Sequence, residues 1–225
     1  MNDEFDRDYW EQHWTDGSGT RVEFAGANPH VIRETAGLTP GIALDAGCGA
    51  GSEAIWLASQ GWRVTGVDIS ATALAEAAER AAQVETPLPI TWIEADLTDW
   101  RPDAEVDLVV TNYAHPATSQ LDFYRRLAGF VAPGGTLLIV GHLKHEHAAG
   151  HEGAPGSEHD HGHENEMEHP ESSQVSLADI TATFDSSEWV IETADEVSRK
   201  VGTHDGGTRQ LHDVVVRALR VNDSA

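Results

Sequence analysis

The sequence predicts an α/β protein built on a parallel sheet that helices cover on both faces. Between residues 42 and 141, short apolar segments alternate with segments typical of amphipathic helices. Regular alternation of this kind implies right-handed crossovers between parallel strands. The length of 225 residues suits one substantial domain, and 40% hydrophobic residues with seven tryptophans supply enough apolar surface for its core. We therefore expect a single domain over residues 1–225.

The first element is an aromatic, helical lead-in over residues 1–40. Tyr9, Trp10 and Trp14 lie there at helical spacing. This spacing leaves two structures open. The aromatic side chains form a lid over a binding site, or they pack an amphipathic helix against the edge of the sheet.

Strands and helices alternate after this lead-in. Asn28 and Pro29 provide the cap and the first position of a second helix. Strands are predicted over residues 42–46, 63–67, 90–94, 106–111 and 136–141, with helices over residues 52–60, 71–84 and 119–131. A helix over residues 177–184 and two strands over residues 189–197 and 208–221 follow. The last two segments alternate apolar and polar residues, as an antiparallel pair does.

A segment of different composition, about residues 142–174, interrupts the pattern. It is rich in His, Glu, Gly, Ser and Pro and holds almost no large apolar side chain. Such a segment cannot bury enough surface to offset its ordering entropy, so we expect a flexible insertion. Two interpretations of this insertion stay open. It binds a divalent metal loosely through imidazole and carboxylate groups, with His159, His161 and His163 as ligands, or it is a solvated loop without a ligand.

Composition excludes several classes of function. The chain has 14 basic and 38 acidic residues, a formal net charge of −24, which argues against binding nucleic acid or an anionic membrane surface. Its one cysteine, Cys48, excludes an intramolecular disulfide and a Cys-rich zinc site. The start of the chain is acidic and lacks the apolar run of a secretory signal, so we expect a cytoplasmic protein. The sequence does not indicate an oligomeric state.

The most informative motif follows the first predicted strand. Gly47, Gly49 and Gly51 allow the backbone to turn tightly and approach a ligand. Asp45 places a carboxylate at the carboxyl end of that strand, where open α/β sheets bind ligands. A nicotinamide dinucleotide site would want a glycine where Ser52 stands, and Asp45 would repel its pyrophosphate. A ligand with an amine and no phosphate fits better.

Two more acids follow the next two predicted strands. Asp68 comes 23 residues after Asp45, near the spacing expected of an acid that binds ribose hydroxyls. Asp96 lies just past the third strand, where a carboxylate can accept a hydrogen bond from an exocyclic adenine amine. Because parallel strands end at one edge of the sheet, the three acids together predict an adenosine site extended by an amino-acid part.

These segments resemble class I S-adenosylmethionine-dependent methyltransferases. The resemblance covers about residues 6–141, and its motifs occupy residues 44–51, 66–70, 94–97, 107–110 and 127–138. Residues 54–64 and the Tyr9-Trp10-x-x-x-Trp14 opening are similar to the small-molecule branch that includes tellurite-resistance and thiopurine-type enzymes. The family implies a Rossmann-like, doubly wound sheet of seven strands, mostly parallel with one antiparallel strand at the C-terminal end, and helices on both faces.

The resemblance also implies roles for individual residues. Asp45 and the Gly47–Gly51 backbone would hold the methionine end of the cofactor, Asp68 the ribose, and Ile69 the adenine ring. Asp96 and the Leu97 backbone would bind the adenine edge. The full predicted cofactor set is Asp45, Gly47, Cys48, Gly49, Gly51, Asp68, Ile69, Asp96, Leu97 and Asn112. Within it, Cys48 reads as a small packing residue rather than a nucleophile, because no basic neighbour lowers its pKa.

The methyl acceptor is expected near the end of the fourth strand. Asn112 and Tyr113 are placed to orient it, and His115 to accept its proton. The alternative for His115 is a surface loop histidine, and His212 reads as a structural histidine. The leading hypothesis is methyl transfer from S-adenosylmethionine to a small-molecule nucleophile. The alternative is a His-rich, metal-binding protein that keeps the fold without catalysis.

Overall fold

The computed structural model describes residues 5–16, 26–143, 175–202 and 208–222. Its helices are α1 (Arg7–Thr15), α2 (Pro29–Thr35), α3 (Ser52–Ser59), α4 (Ala71–Ala81), α5 (Gln120–Ala128) and α6 (Leu177–Thr181). Its strands are β1 (Ile42–Ala46), β2 (Arg63–Asp68), β3 (Thr91–Glu94), β4 (Val106–Asn112), β5 (Val131–His142), β6 (Trp189–Gly202) and β7 (Thr208–Arg220).

The strands form one seven-stranded sheet in the order β3-β2-β1-β4-β5-β7-β6. The pairs from β3 through β5 are parallel, whereas β7 runs antiparallel to both β5 and β6. The predicted Rossmann-like α/β fold, with its antiparallel C-terminal strand, is confirmed. Because β1, β2, β3 and β4 are parallel, their carboxyl ends meet at one edge of the sheet.

Apolar residues cover both faces of this sheet. On one face, Leu44 and Ile139 pack with Phe123 and Leu127 of α5 and with Ile180 of α6. On the other face, a second cluster joins α2 and α3 to the central strands: Val31, Ala54, Leu57, Leu108, Val110 and Leu138. The central strands are therefore buried on both sides, which accounts for the nearly continuous apolar runs that the sequence shows for them.

The two largest differences between predicted and observed boundaries are in β5 and β6. Strand β5 begins at Val131 rather than residue 136, because Val131 pairs with Val106 before the register shifts and Thr136 pairs with Leu108. Pro133, Gly134 and Gly135, which lie between the predicted helix and the predicted strand, are therefore an irregularity within the strand, with Gly134 at φ +77°. Strand β6 extends to Gly202 rather than residue 197, because it pairs with β7 beyond the point where β5 ends.

The His-rich insertion falls almost wholly outside the described residues. The two residues that flank the undescribed stretch, Leu143 and Val175, form a parallel bridge. The chain therefore leaves and re-enters the described part of the structure at adjacent positions, next to the carboxyl end of β5. Within the described ranges, no helix combines the length and apolarity that a membrane crossing requires.

The glycine turn gives a first testable prediction. Gly51 has φ +76°, and a Cβ at this position would lie 2.7 Å from the Trp92 ring and 2.9 Å from Ala77 Cβ. Gly51→Ala should lower the free energy of unfolding by about 2–4 kcal/mol, since left-handed backbone strain and overpacking add. Urea denaturation measures this free energy of unfolding for wild type and variant. In the matched control Gly37→Ala, the new Cβ meets nothing within 4 Å, and equal losses for both variants would contradict this account.

Candidate functional site

The carboxyl edge of the sheet brings together the acids that the sequence singles out. Asp45 lies opposite Gly66 in the β1–β2 register, and Asp68 lies opposite Glu94 in the β2–β3 register. Asn112 ends β4 on the other side of β1. The structure therefore places these strand ends, in the order β3-β2-β1-β4, along one continuous edge.

The turn between β1 and α3 requires its three glycines. Gly47, Gly49 and Gly51 all have positive φ, at 77°, 49° and 76°, a region that residues with a Cβ adopt at a cost. The N–H groups of Gly47 and Cys48 both donate to the Val67 carbonyl, at 2.9 and 3.0 Å. A Cβ on Gly47 would lie 2.5 Å from the Ala114 Cβ, so the turn closely approaches the loop after β4.

Asp45 is buried beneath this turn. One of its carboxylate oxygens accepts a hydrogen bond of 2.9 Å from the Ala54 N–H in the first turn of α3. Burial raises the pKa of Asp45 well above its ordinary value, and the nearby Glu53 carboxylate raises it further. A desolvated acid beside a second acid favours a cationic ligand, because positive charge lowers both pKa values.

Glu53 is the centre of a polar cluster that the sequence did not indicate. Its Oε1 accepts from the Asn28 backbone N–H at 2.9 Å and from the Asn112 amide at 3.1 Å. The Asn28 amide in turn donates to the Asn112 side-chain oxygen at 3.0 Å. Burial also raises the pKa of Glu53. The predicted Asn112 is thus fixed by two residues from separate helix starts.

Asp68 braces the glycine turn from β2. One carboxylate oxygen accepts from the Gly49 N–H at 2.8 Å, and the other accepts from the Ser70 N–H at 3.0 Å. Burial raises the pKa of Asp68 despite these hydrogen bonds, and the nearby Glu11 carboxylate contributes to the rise. The carboxylate therefore links the end of β2 to both the turn before α3 and the start of α4.

The remaining residues predicted to bind the adenine end occupy the loop after β3 and the end of β2. Asp96 Oδ1 accepts from the Thr98 backbone N–H at 2.8 Å and the Thr98 hydroxyl at 2.7 Å. Leu97 is buried, and its carbonyl accepts from Arg126 Nε at 2.6 Å. Ile69 is half-buried directly after Asp68. The adenine roles of these three residues stay predictions.

Cys48 is buried inside the glycine turn. Its Sγ lies 3.1 Å from the position a Cβ would take at Gly66. Burial raises the pKa of its thiol well above the ordinary value, and Asp45 and Asp68 add to the effect. A thiol with a raised pKa is a poor nucleophile, in line with its interpretation as a packing residue.

Helix α1 lies across this edge rather than against the side of the sheet. The Trp14 ring would be 2.9 Å from a Cβ at Gly49, and the Trp10 indole N–H donates to the His115 carbonyl at 3.3 Å. Glu11 accepts hydrogen bonds from the residues at the start of α4. Of the two structures left open for the aromatic residues, these contacts favour the lid.

Tyr113 adopts a left-handed backbone conformation directly after β4, with φ 54°. Its hydroxyl donates to Asp213 Oδ1 at 2.6 Å and accepts from an Arg199 guanidinium N–H at 2.9 Å. Arg199 Nε also donates to Asp213 Oδ2 at 2.5 Å. Positive φ at a bulky residue stores strain that the surroundings must offset, and the β6–β7 hairpin supplies this support.

His115 belongs to a row of stacked rings beside the end of β4, where the methyl acceptor is expected. We call this part of the site the acceptor side. Its ring lies 5.7 Å from the His142 ring and 6.4 Å from the Trp10 ring, with interplanar angles of 15° and 11°. His142 stacks in turn on Tyr113, with centroids 4.4 Å apart. The structure therefore brings His115 and Tyr113 together through His142. His115 is half-buried among aromatic rings and is not a fully exposed loop histidine.

Asp213 is the residue on this side that the sequence analysis overlooked. Its carboxylate is fully buried, and besides Tyr113 and Arg199 it contacts His30 Nε2 at 3.2 Å. The signal in the sequence was an acid directly before the apolar run Val214-Val215-Val216. Its partners could not be identified there, because Tyr113 lies 100 positions earlier in the chain. The neighbouring His212 bonds Ser198 Oγ at 2.8 Å, which suits its structural interpretation.

The predicted metal ligands His159, His161 and His163 lie outside the described residues. Within the part of the chain that is described, no group of three or more His, Cys, Asp or Glu side chains is arranged to hold a metal ion.

Comparison with known proteins agrees with this geometry. A family profile described as a methyltransferase domain matches residues 43–135. An uncharacterized methyltransferase of Mycobacterium tuberculosis (strain ATCC 25618 / H37Rv) is 43% identical over 99 residues, which cover 43% of this chain and 48% of the relative. Thiocyanate methyltransferase 1 of Brassica oleracea is 35% identical over 102 residues, covering 44% of this chain and 45% of the relative.

Solved structures match over nearly the whole chain. One, from work on the conversion of a disulfide bond into a thioacetal group during echinomycin biosynthesis, is 26% identical with a TM-score of 0.65 and covers 100% of this chain and 93% of its own. Magnesium protoporphyrin IX methyltransferase from Synechocystis PCC 6803 with bound S-adenosylmethionine is 21% identical, with a TM-score of 0.64 and coverage of 95% and 94%. The central part of the chain therefore matches the methyltransferase domain family, and the chain as a whole has the fold of S-adenosylmethionine-dependent methyltransferases.

The family match is strongest in the cofactor half of the chain. The chain spans about half the length of the curated methyltransferases it matches, and the matched profile ends at residue 135. Helix α1 and the β6–β7 hairpin, which contact the acceptor side, lie outside that profile. The profile therefore does not cover the elements that contact the position where the acceptor is expected.

The residues present fit S-adenosylmethionine. The cofactor carries a sulfonium, an ammonium and one carboxylate, and thus a net positive charge. Asp45 and Glu53 lie buried where its methionine part is expected, and burial raises both pKa values. The left-handed turn at Gly47 and Gly49 is closely approached by the side chains of Ala114 and Trp14. The charge of the buried acids therefore suits this cofactor.

Because Asp45 is buried, we expect its replacement by a neutral residue to raise the free energy of unfolding, and to do so by an amount that depends on pH. Its pKa is raised in the folded state, so wild type loses stability as pH rises from the unfolded pKa, about 3.9, through the folded value. Asp45→Asn removes the buried charge and should stabilise the cofactor-free protein by roughly 1–3 kcal/mol at pH 8 and by less at pH 5.

Urea denaturation at the two pH values measures this difference. Asp99→Asn, at an exposed acid, serves as the matched control and should leave stability nearly unchanged at both. An Asp45→Asn variant that is less stable than wild type at pH 8 would contradict the burial account.

Proposed function

We propose that this protein transfers a methyl group from S-adenosylmethionine to a small-molecule nucleophile. The observation that carries the proposal is the buried acidic edge, where Asp45, Glu53 and Asp68 surround a three-glycine turn. This arrangement complements a cationic nucleoside and not a nucleotide phosphate. When bound, the cofactor supplies an electrophilic methyl group on its sulfonium. The protein's own work is then chiefly to position the acceptor in line with that methyl group.

Each side of the site has a distinct part in this proposal. The turn backbone and Asp45 hold the methionine end, with Cys48 packed beneath, and Asp68 accepts hydrogen bonds from the ribose. Ile69, Asp96 and Leu97 contact the adenine. Asn112, held by Glu53 and Asn28, orients groups at the junction between the cofactor and the acceptor.

The acceptor meets Tyr113, His115 and the rings stacked on them. An acceptor that carries a proton, such as a thiol, needs a base, and His115 is placed to provide it. An acceptor that is already an anion needs only orientation. The relative named thiocyanate methyltransferase and the structure from disulfide-to-thioacetal conversion favour sulfur nucleophiles as the first acceptors to examine. A chain of net charge −24 favours such small molecules over nucleic acid.

The insertion has a separate, subordinate place in the proposal. His159, His161 and His163 bind a divalent metal loosely, by imidazole and carboxylate ligands. Deletion of residues 144–172 should abolish zinc binding in calorimetry and leave S-adenosylmethionine binding intact. Loss of both together would refute this separation of roles, and unchanged zinc binding would refute the metal site.

Asp68→Asn should weaken S-adenosylmethionine binding by about 10- to 100-fold, because a charge-assisted hydrogen bond to the ribose is worth about 1.5–3 kcal/mol. Isothermal calorimetry measures the dissociation constant. Asp99→Asn, in the exposed loop after β3, is the control of equal charge change. Affinity that Asp68→Asn leaves unchanged would remove the proposed cofactor site.

Turnover of the acceptor tests the proposed role of His115. Release of S-adenosylhomocysteine is measured with thiols, thiocyanate, iodide and small amines as acceptors. With a thiol, His115→Gln should lower kcat by about 100-fold or more, since general-base catalysis contributes that much, and leave cofactor affinity within about twofold. With thiocyanate, which has no proton to lose, the variant should lose far less. An equal loss with both acceptors would exclude the general base.

A further inference from the structure

One face of α1 crosses the ends of three strands in their spatial order. Arg7, Glu11 and Trp14 are spaced i, i+4 and i+7, so they share one side of the helix. Arg7 pairs with Glu94 at the end of β3, Glu11 contacts the residues after β2, and Trp14 lies over Gly49 after β1. Since β3, β2 and β1 are neighbours in the sheet, α1 follows the line along which we propose that the cofactor binds.

Glu11 is the residue of this face that contacts the start of α4, close to Asp68. Its carboxylate accepts from the Ser70 hydroxyl at 2.7 Å, from the Thr72 N–H at 3.4 Å and from the Thr72 hydroxyl. The backbone N–H of the same Ser70 donates to Asp68 Oδ1 at 3.0 Å. Ser70 thus bridges two carboxylates, one from the sheet and one from α1.

Two negative charges held this close oppose each other. The hydrogen bonds from Thr72 and Ser70 lower the pKa of Glu11, so it stays ionised, while its charge raises the pKa of Asp68. The Ala71 backbone N–H also donates to Glu11. A carboxylate oxygen can accept about two hydrogen bonds, and Oε1 of Glu11 accepts the one from the Thr72 hydroxyl, so a ligand hydroxyl can add to it or replace one of these donors. A ligand that brings paired hydroxyl donors would satisfy both carboxylates and reduce the cost of their proximity.

We propose that Glu11 is a second ribose-binding carboxylate, which accepts a hydrogen bond from one of the vicinal hydroxyls while Asp68 accepts from the other. The inference rests on the proposed function, because it presumes a nucleoside at this edge. It makes α1 part of the cofactor site and couples binding to docking of the helix on α4. Trp14 then covers the glycine turn on the methionine side of the same ribose.

The competing explanation is that Glu11 only fastens α1 to α4. A fastening role would affect every ligand beneath α1 equally, whether or not the ligand carries both hydroxyls. A ribose contact affects only ligands that carry the hydroxyl in question. The two explanations therefore differ in how the Glu11 variant discriminates between ribose and deoxyribose ligands.

Calorimetry with S-adenosylhomocysteine and its 2′-deoxy and 3′-deoxy analogues makes this distinction. Wild type should prefer the full ribose over both analogues. Glu11→Gln should weaken the binding of S-adenosylhomocysteine by about 10-fold, but the binding of one deoxy analogue by less than twofold. The preference of the protein for the full ribose over that analogue then falls by up to about 10-fold. Asp8→Asn, at an exposed acid of the same helix, should leave all three affinities unchanged.

Thr72→Val weakens only the attachment of α1 to α4, since it removes one hydrogen bond to Glu11 and keeps the Glu11 carboxylate. It should weaken all three ligands by the same factor, which also provides a reference if Glu11→Gln loosens the helix. The inference is overturned if Glu11→Gln leaves both preferences unchanged. Failure of wild type to bind S-adenosylhomocysteine would instead overturn the proposed function, and the inference with it.

Discussion

Negative charge buried at the carboxyl edge of the sheet is the constraint on which this site depends. Asp45, Glu53 and Asp68 lose most of their contact with water there, and burial raises the pKa of each. Buried charge is tolerated only when hydrogen-bond donors meet it. Backbone N–H groups of Ala54, Gly49 and other residues of the surrounding turns serve as these donors, so the loops take their shape from the acids they enclose.

The same constraint connects stability to binding. Acids that burial keeps at raised pKa destabilise the cofactor-free fold at neutral pH, and a cation placed among them relieves that cost. Part of the binding free energy at such a site comes from relief of the electrostatic cost that the buried carboxylates impose on the protein without ligand. The acidic surface of the rest of the chain does not share this property, because exposed carboxylates are well solvated.

The acceptor side depends on a different kind of support. Tyr113 holds a strained backbone conformation, and the buried Asp213 fixes its hydroxyl from β7. Strand β7 runs antiparallel to the rest of the sheet, so its first half extends past the carboxyl end of β5, beside Tyr113. The C-terminal hairpin therefore reaches a side of the site that the parallel strands alone cannot enclose. Helix α1 covers the cofactor side in a comparable way.

Local sequence signals predicted the geometry of the β1–α3 turn and of the strand ends beside it. The glycine turn, the strand-end acids Asp45 and Asp68, and the alternation of strands and helices each follow from short stretches of chain. The contacts of Glu53 with Asn28 and of Asp213 with Tyr113 could not be predicted, since they join residues that are far apart in sequence. The irregularity in β5 was also missed, because Pro133, Gly134 and Gly135 are typical of a turn that ends an element, and here the strand pairs on both sides of them.

The most direct measurement of the central claim is proton exchange on cofactor binding. Calorimetry of S-adenosylmethionine binding in buffers of different ionisation enthalpy gives the number of protons released or taken up. If the cofactor is the counter-charge of the buried carboxyls, its binding lowers their raised pKa values, so protons are released and binding tightens as pH rises through those values. Binding without proton release, at an affinity that pH does not change, would contradict the account.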